Sequence, residues 1–331
     1  MPAYDNMPEM GLYQPVQVED ALALASRLAD RGWLLGGGQD TYGWIKDRAK
    51  RPEALIDLNG IEALRGIRET SDGIEIGALT TLTEVATSPI IMERYALLAK
   101  AAGVVASPQI RNVGTLAGNM AQDVRCWYYR RGLACYRAGG NLCYADTPDG
   151  QNREHALFNA SRCVAVTPSD TAPALVALEA QMVIRNESGE RIVDAEDFWV
   201  GPAVDIENTT VLRPGDILTA VRIPAKWANA EFYFEKVADR NVWDFALVSI
   251  AAAMRVEGGN IADSRMVCGA VQCTPRRLTN VERAIQGQPR NQATADMVAG
   301  MASQGAQPLT RNHFKMPLMD NLVKRALTMT A

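Results

Sequence analysis

The chain is nearly without histidine: His155 and His313 are the two in 331 residues, so an imidazole-rich zinc or non-haem iron site has little material to draw on. No run of eighteen apolar residues occurs, and no basic start leads into an apolar stretch. Neither a membrane span nor a secretory signal is therefore expected, and the default location is the cytoplasm. Basic charge is short too: 34 Lys and Arg face 38 Asp and Glu, a net charge of -4, which gives no reason to expect a nucleic-acid partner. Also missing are any C-x-x-C pair, the glycine spacing of the dinucleotide fingerprint, a Gly-Lys-Ser/Thr phosphate loop, internal repeats and low-complexity tracts.

What is present is a chain of 331 residues, 47% hydrophobic, long enough for two or three compact units sharing a cofactor cleft. Leu24 and Leu28, and Ala21 and Ala25, stand four apart, so residues 18–31 read as an amphipathic helix stopped at Gly32. Trp33, Leu34 and Leu35 form a short strand that runs into Gly36, Gly37 and Gly38, and residues 41–48 begin another helix. Strands are expected at 54–57 and at Ile74, Ile76 and Ala78, with a helical stretch over 81–102 and small residues over 103–119. Regular structure resumes with strands at 164–166 and 182–185, a helix over 172–178 between them and a hairpin turn at 186–190. After a boundary at Pro224, strands follow at 231–237 and 247–256, and helices near 280–286 and 321–328.

Two glycine motifs carry chemistry. Gly36, Gly37 and Gly38 leave out the Cβ atoms that would keep backbone amides from a phosphate, although a bare glycine run serves equally as a tight structural turn. The second, Arg111-Asn112-Val113-Gly114-Thr115-Leu116-Ala117-Gly118-Asn119, alternates glycine with hydrogen-bonding side chains, as a diphosphate cradle would.

Both motifs resemble those of the FAD-binding subunit of the molybdenum hydroxylases, the family of xanthine dehydrogenase, aldehyde oxidases and carbon monoxide dehydrogenase. The resemblance covers nearly the whole chain and extends to Pro168-Ser169-Asp170-Thr171-Ala172-Pro173, Pro214-Gly215-Asp216-Ile217-Leu218 and Phe234-Glu235-Lys236-Val237. It implies an α+β chain with the two-subdomain FAD-binding fold (residues 1–60 and 61–225) and a C-terminal α+β domain with a small antiparallel sheet (226–331). It also implies FAD contacts from Leu34, Leu35, Gly36, Gly37, Gly38, Gln39, Asp40 and Thr41, from Gly114, Thr115, Ala117, Gly118 and Asn119, and from Val105, Asp170, Leu218 and Lys236. Three departures stand out: Gln39 where Thr is usual, Ala117 for one glycine, and Val105 where relatives place an aromatic against the flavin. By the same resemblance the chain is an oxidoreductase subunit that relays electrons and needs no catalytic acid or base of its own. Its partners would be a large molybdopterin subunit and a small subunit with two [2Fe-2S] clusters, in a heterotrimer that often doubles. Asp239, Arg240, Trp243 and Asp244 resemble a loop near the flavin.

Six cysteines in a chain without a signal peptide read as thiols or metal ligands rather than disulfides. Cys268 and Cys273 lie in an apolar run and read as core thiols. Cys126, Cys135, Cys143 and Cys163 crowd an arginine-rich insertion at about 123–163, with eight, seven and nineteen residues between them. Four thiolates satisfy a [4Fe-4S] cluster or a structural zinc, and the wide, uneven spacing favours the cluster. His155 is a stand-in ligand should one cysteine not bind. The insertion resembles that in the flavin subunits of 4-hydroxybenzoyl-CoA reductase and periplasmic aldehyde oxidoreductase, where such cysteines bind a [4Fe-4S] cluster. From Arg125 to Cys163 six arginines face three carboxylates, a net +3 that suits a thiolate cluster, a docking acidic carrier such as ferredoxin, or ordinary solvated surface. The rival reading is a stand-alone FAD oxidoreductase with a zinc-binding cysteine loop. Export with a signal-bearing partner stays open.

Overall fold

The computed structural model describes residues 7–329. Its first layer is a small parallel sheet of β1 (Gly11–Tyr13), β2 (Gly32–Leu35) and β3 (Ala54–Asp57), in the order β1-β3-β2. Parallel neighbours need crossovers, and the helices Val18–Leu28 and Thr41–Lys46 supply them. The first of these buries Val18, Ala21, Leu22, Ala25 and Leu28, one stripe at helical spacing, against Ala54, Ile56, Leu58 and Ile61. It ends where Ala29 turns to a φ of 47°.

The second layer is an antiparallel sheet of β4 (Ile67–Thr70), β5 (Gly73–Gly77), β6 (Gln181–Asn186), β7 (Gly189–Asp194) and β8 (Ile217–Pro224), in the order β4-β5-β8-β6-β7. The expected helical stretch after β5 is three short helices, Leu82–Thr87, Pro89–Arg94 and Ala96–Gly103, and their apolar faces pack with Leu175, Met182 and Val221 in one core. Thr81 caps the first of them in a reciprocal box with Glu84.

The third layer, β9 (Glu231–Val237), β10 (Val248–Glu257), β11 (Asn260–Gly269) and β12 (Arg276–Arg277), is antiparallel throughout. Ile250, Ala252 and Met254 face the C-terminal helices Thr279–Ile285 and Lys315–Thr328, while Ala251 and Ala253 join the core of the second layer. Burial on both faces explains why β10 reads as a continuous apolar run rather than as an alternation.

Residues 123–163 hold one short helix, Trp127–Arg130, and a single 3-10 turn, Tyr136–Ala138. Residues 164–166, expected as a strand, join no sheet among the described residues. Their neighbourhood instead exchanges single bonds with other loops, from Ala156 N to Val164 O (2.8 Å) and from Thr167 N to Gln272 O (3.1 Å). The last helix starts at Lys315, six residues before the expected Asn321, with Pro317 accommodated in its first turn. Among the described residues no helix is long and apolar enough to cross a membrane.

Candidate functional site

The two glycine motifs meet. β2 delivers Gly36 and Gly37 against the turn that precedes the helix Leu116–Met120, so closely that a Cβ on Gly37 would lie 1.9 Å from Val113 O and 2.9 Å from Gly114 Cα. A Cβ on Gly36 would lie 3.1 Å from Thr115 Oγ1. Only glycine permits this approach. The second turn is braced from below: Leu82 N donates to Gly114 O (2.8 Å), Ala117 N to Ala78 O (3.1 Å), and Thr115 Oγ1 accepts from Gly118 N (3.1 Å) to cap the helix. Asn59 Nδ2 holds Gly36 O at 2.8 Å, Gln39 Nε2 reaches back to Gly37 O at 3.3 Å, and Thr41 Oγ1 accepts from Trp33 Nε1 at 3.1 Å. Leu34 is half-buried and Leu35 buried beside this turn.

Asn119 links the second motif to the third. Its buried Oδ1 accepts from Ser169 Oγ (2.8 Å) and Thr171 Oγ1 (2.6 Å), which sets Asp170 in place between them. Asp170 is 4% exposed and pairs at 2.6 Å with Lys236, which also donates to Asp244 O (2.7 Å) and Val104 O (3.2 Å). Burial pushes the Asp170 pKa up to about 6, against the pull of the lysine. Val105 is buried alongside, its carbonyl bonded to Arg111. The 239–245 loop closes over this region: Trp243 N donates to Ala106 O (2.8 Å), and Asp239 pairs with Arg153 of the insertion. Leu218 lies apart from these groups, in the core on β8 across from Ile184.

Asp40 is committed elsewhere. Its carboxylate pairs with Arg125, accepts from Trp44 Nε1 (2.8 Å) and stands 3.5 Å from Arg130. Arg130 also pairs with Asp47, and Lys50 with Asp123 (3.2 Å), so the helix after the first glycine turn is the anchor of the insertion. The cationic balance read from the sequence is thus largely internal: Arg125, Arg130, Arg137 and Arg153 all have carboxylate partners.

Cys126, Cys135, Cys143 and Cys163 line one cavity, with about 330 Å³ free of protein atoms including the part open to solvent. Cys126 and Cys135 each stand at the start of a short helical turn. The loop between Cys135 and Cys143 is folded tightly enough that a Cβ on Gly140 would lie 1.8 Å from Ala134 O. No carboxylate lines the cavity, but Arg137, Arg162 and His155 do. Arg137 is 4% exposed; it bonds Glu207 O (2.8 Å), sits 3.6 Å from Asp123 and 3.9 Å from Cys273 Sγ, and leaves its Nε without a partner. A buried cation with an N–H to spare suits an anionic group among the thiols. Burial holds the Cys126 thiol up at about 11, so a metal bound there would have to displace its proton. Among the described residues no three His, Cys, Asp or Glu side chains are grouped closely enough, as they stand, to hold a metal ion.

His155 Nε2 lies 3.3 Å from Cys126 Sγ, and burial, with Lys315 nearby, lowers its pKa to about 4, so the ring is neutral. Cys268 and Cys273 are core thiols as expected, pushed up to about 12 by burial. A second, larger cavity, about 920 Å³ by the same measure, is lined by Ser169, Asp170, Arg125 and Phe245, and also by Cys126 and His155. No local signal in the chain marks this shared wall, nor Arg137 beyond its charge.

Residues 8–226 match the family model described as the FAD binding domain in molybdopterin dehydrogenase, and residues 233–330 match the CO dehydrogenase flavoprotein C-terminal domain. The aldehyde oxidoreductase FAD-binding subunit PaoB of Escherichia coli is 32% identical over 92% of this chain and 93% of its own length. The carbon monoxide dehydrogenase medium chain of Hydrogenophaga pseudoflava is 28% identical over 97% and 96%. A solved structure of carbon monoxide dehydrogenase from Hydrogenophaga pseudoflava superposes with a TM-score of 0.76 over 97% of both chains, at 28% identity.

Proposed function

Because the chain belongs to the family of FAD-binding medium subunits of molybdenum hydroxylases, we propose that it relays electrons in a heterotrimer with a large molybdopterin subunit and a small [2Fe-2S] subunit, using FAD and an inserted [4Fe-4S] cluster. Residues 1–60 and 61–225 are the two FAD-binding subdomains and 226–331 the C-terminal domain. FAD, when bound, exchanges one or two electrons and the cluster one, so the pair suits traffic with a one-electron carrier such as a ferredoxin.

The protein's own part is to hold and insulate. The turns at Gly36–Gly38 and Gly114–Asn119 present backbone to the diphosphate, and Asp170, kept in place by Lys236, is the polar contact inside the cleft. Asp40 contributes by anchoring the insertion through Arg125 and Arg130, not through its side chain on the cofactor. Leu218 supports the wall from the core rather than lining the larger cavity. The observation that carries the second cofactor is the set of four cysteines around one cavity that, among the described residues, no carboxylate lines, beside the partnerless Nε of Arg137. The Nε–H of Arg137 would then have an anionic sulfur to donate to.

The test is an anaerobic reductive titration of the purified chain. The reading predicts bleaching of a flavin band and, separately, a paramagnetic signal of a reduced four-iron cluster. Flavin bleaching without that signal removes the cluster, and the absence of both removes the relay.

A further inference from the structure

We propose that His155 sets the reduction potential of the cluster held by the four cysteines, by donating its Nε2–H to Cys126 Sγ. The inference rests on the cluster reading above.

The contact, 3.3 Å from Nε2 to Sγ, is within hydrogen-bond reach of sulfur. Of the two ring nitrogens only Nε2 has a partner; Nδ1 is buried with none. A thiolate has no proton to give, so once Cys126 is ligated this contact is a hydrogen bond only with the hydrogen on Nε2, the ring donating and the sulfur accepting.

The ring's placement does not depend on the loop that carries it. Lys315, fully buried at the start of the last helix, donates to Glu154 O (2.9 Å), His155 O (3.0 Å) and Ala270 O (2.8 Å). Asn312, also fully buried, donates to His155 O (3.0 Å) and Ala156 O (3.1 Å), and Asn152 Nδ2 ties the segment to Ala145 O (3.0 Å). Two polar side chains from about 160 residues away, spent on the carbonyls of one histidine and its neighbours, fix the backbone from which the imidazole projects. Held groups of this kind around a metal ligand orient it and tune the metal.

The direction follows from charge. Hydrogen bonds to cluster sulfurs stabilise the more electron-rich, reduced state and so raise the potential. Cys126 and His155 also line the larger cavity beside Asp170, so the tuned sulfur faces the side where the flavin motif lies.

The experiment uses the full chain. Iron, sulfide and midpoint potential are measured for the wild type, for His155→Leu, which keeps bulk and loses the donor, and for His155→Gln, which retains an N–H. His155→Leu is expected to keep its iron and to titrate at a more negative potential, with His155→Gln restoring most of the difference. A further measurement avoids mutation: in wild-type protein carrying nitrogen-15 histidine, the reduced cluster should show hyperfine coupling to one imidazole nitrogen. An unmoved potential in an iron-replete His155→Leu, or no such coupling in the wild type, overturns the inference alone. Wild-type protein without iron and sulfide overturns it together with the cluster reading.

Discussion

Gly37→Ala separates the two glycine turns. The added methyl would sit 1.9 Å from Val113 O and 2.9 Å from Gly114 Cα, both backbone atoms that no rotamer change can move. Ordinary contact needs about 3.5 Å or more, so the turns must part by roughly 1.5 Å at the place where they jointly present backbone to the cofactor. Overpacking of this kind costs about 1–3 kcal/mol. If that strain is relieved by opening the cradle, FAD affinity falls roughly 5- to 150-fold. The assay is FAD content after purification, followed by titration of the apoprotein with FAD. Gly103→Ala is the control, because its methyl would meet only Ala86 Cβ within 4 Å, at 3.9 Å. It should bind FAD as the wild type does. A folded Gly37→Ala protein with wild-type FAD affinity would refute the placement of the diphosphate between the turns.

Asp40→Asn should loosen the insertion without touching its cysteines, because one carboxylate pairs with Arg125 and faces Arg130. A cost of about 1–3 kcal/mol is expected, read as a lower thermal midpoint and faster tryptic cleavage after Arg125 and Arg130. Lys315 gives a pH dependence: burial lowers its pKa to about 7 from 10.5. Between those values the unfolded chain holds a proton that the folded chain has released, so this group makes stability rise with pH from about 7 to about 10.5, and its cost is fully present below 7. Lys315→Met should abolish that slope in denaturation midpoints measured across the window. At about pH 10.5 and above, where the wild type no longer bears that cost, the variant should be the less stable protein by about 1–3 kcal/mol, for the carbonyls left without their donor.

The strand, turn and helix around Gly36 were legible because period, glycine and apolar run all agreed there; β3 over Ala54–Asp57 and β9 over Glu231–Val237 were legible for the same reason. β11 was not, since Asp263, Ser264 and Arg265 interrupt its apolar run, and Arg265 is satisfied by Glu179 and Glu196, far away in sequence. The β-branched residues at 164–166 promised a strand, but no neighbouring strand offers them a ladder. At the site, residue types were readable and partners were not. Four clustered cysteines announced a ligand set, yet nothing local says that Arg137 is buried beside them or that Lys315 fixes His155. Asp40 stands in the glycine motif, and nothing local says that its carboxylate also pairs with Arg125 of the insertion.

The most direct test of the two-cofactor account is the iron, acid-labile sulfide, zinc and FAD content of the chain purified anaerobically, compared with Cys135→Ser. The account predicts about four irons and four sulfides with one FAD per chain, with iron and sulfide falling in the variant while FAD stays. Zinc without sulfide would contradict the cluster and leave the flavin subunit standing, and a chain with neither iron nor FAD would contradict the account as a whole.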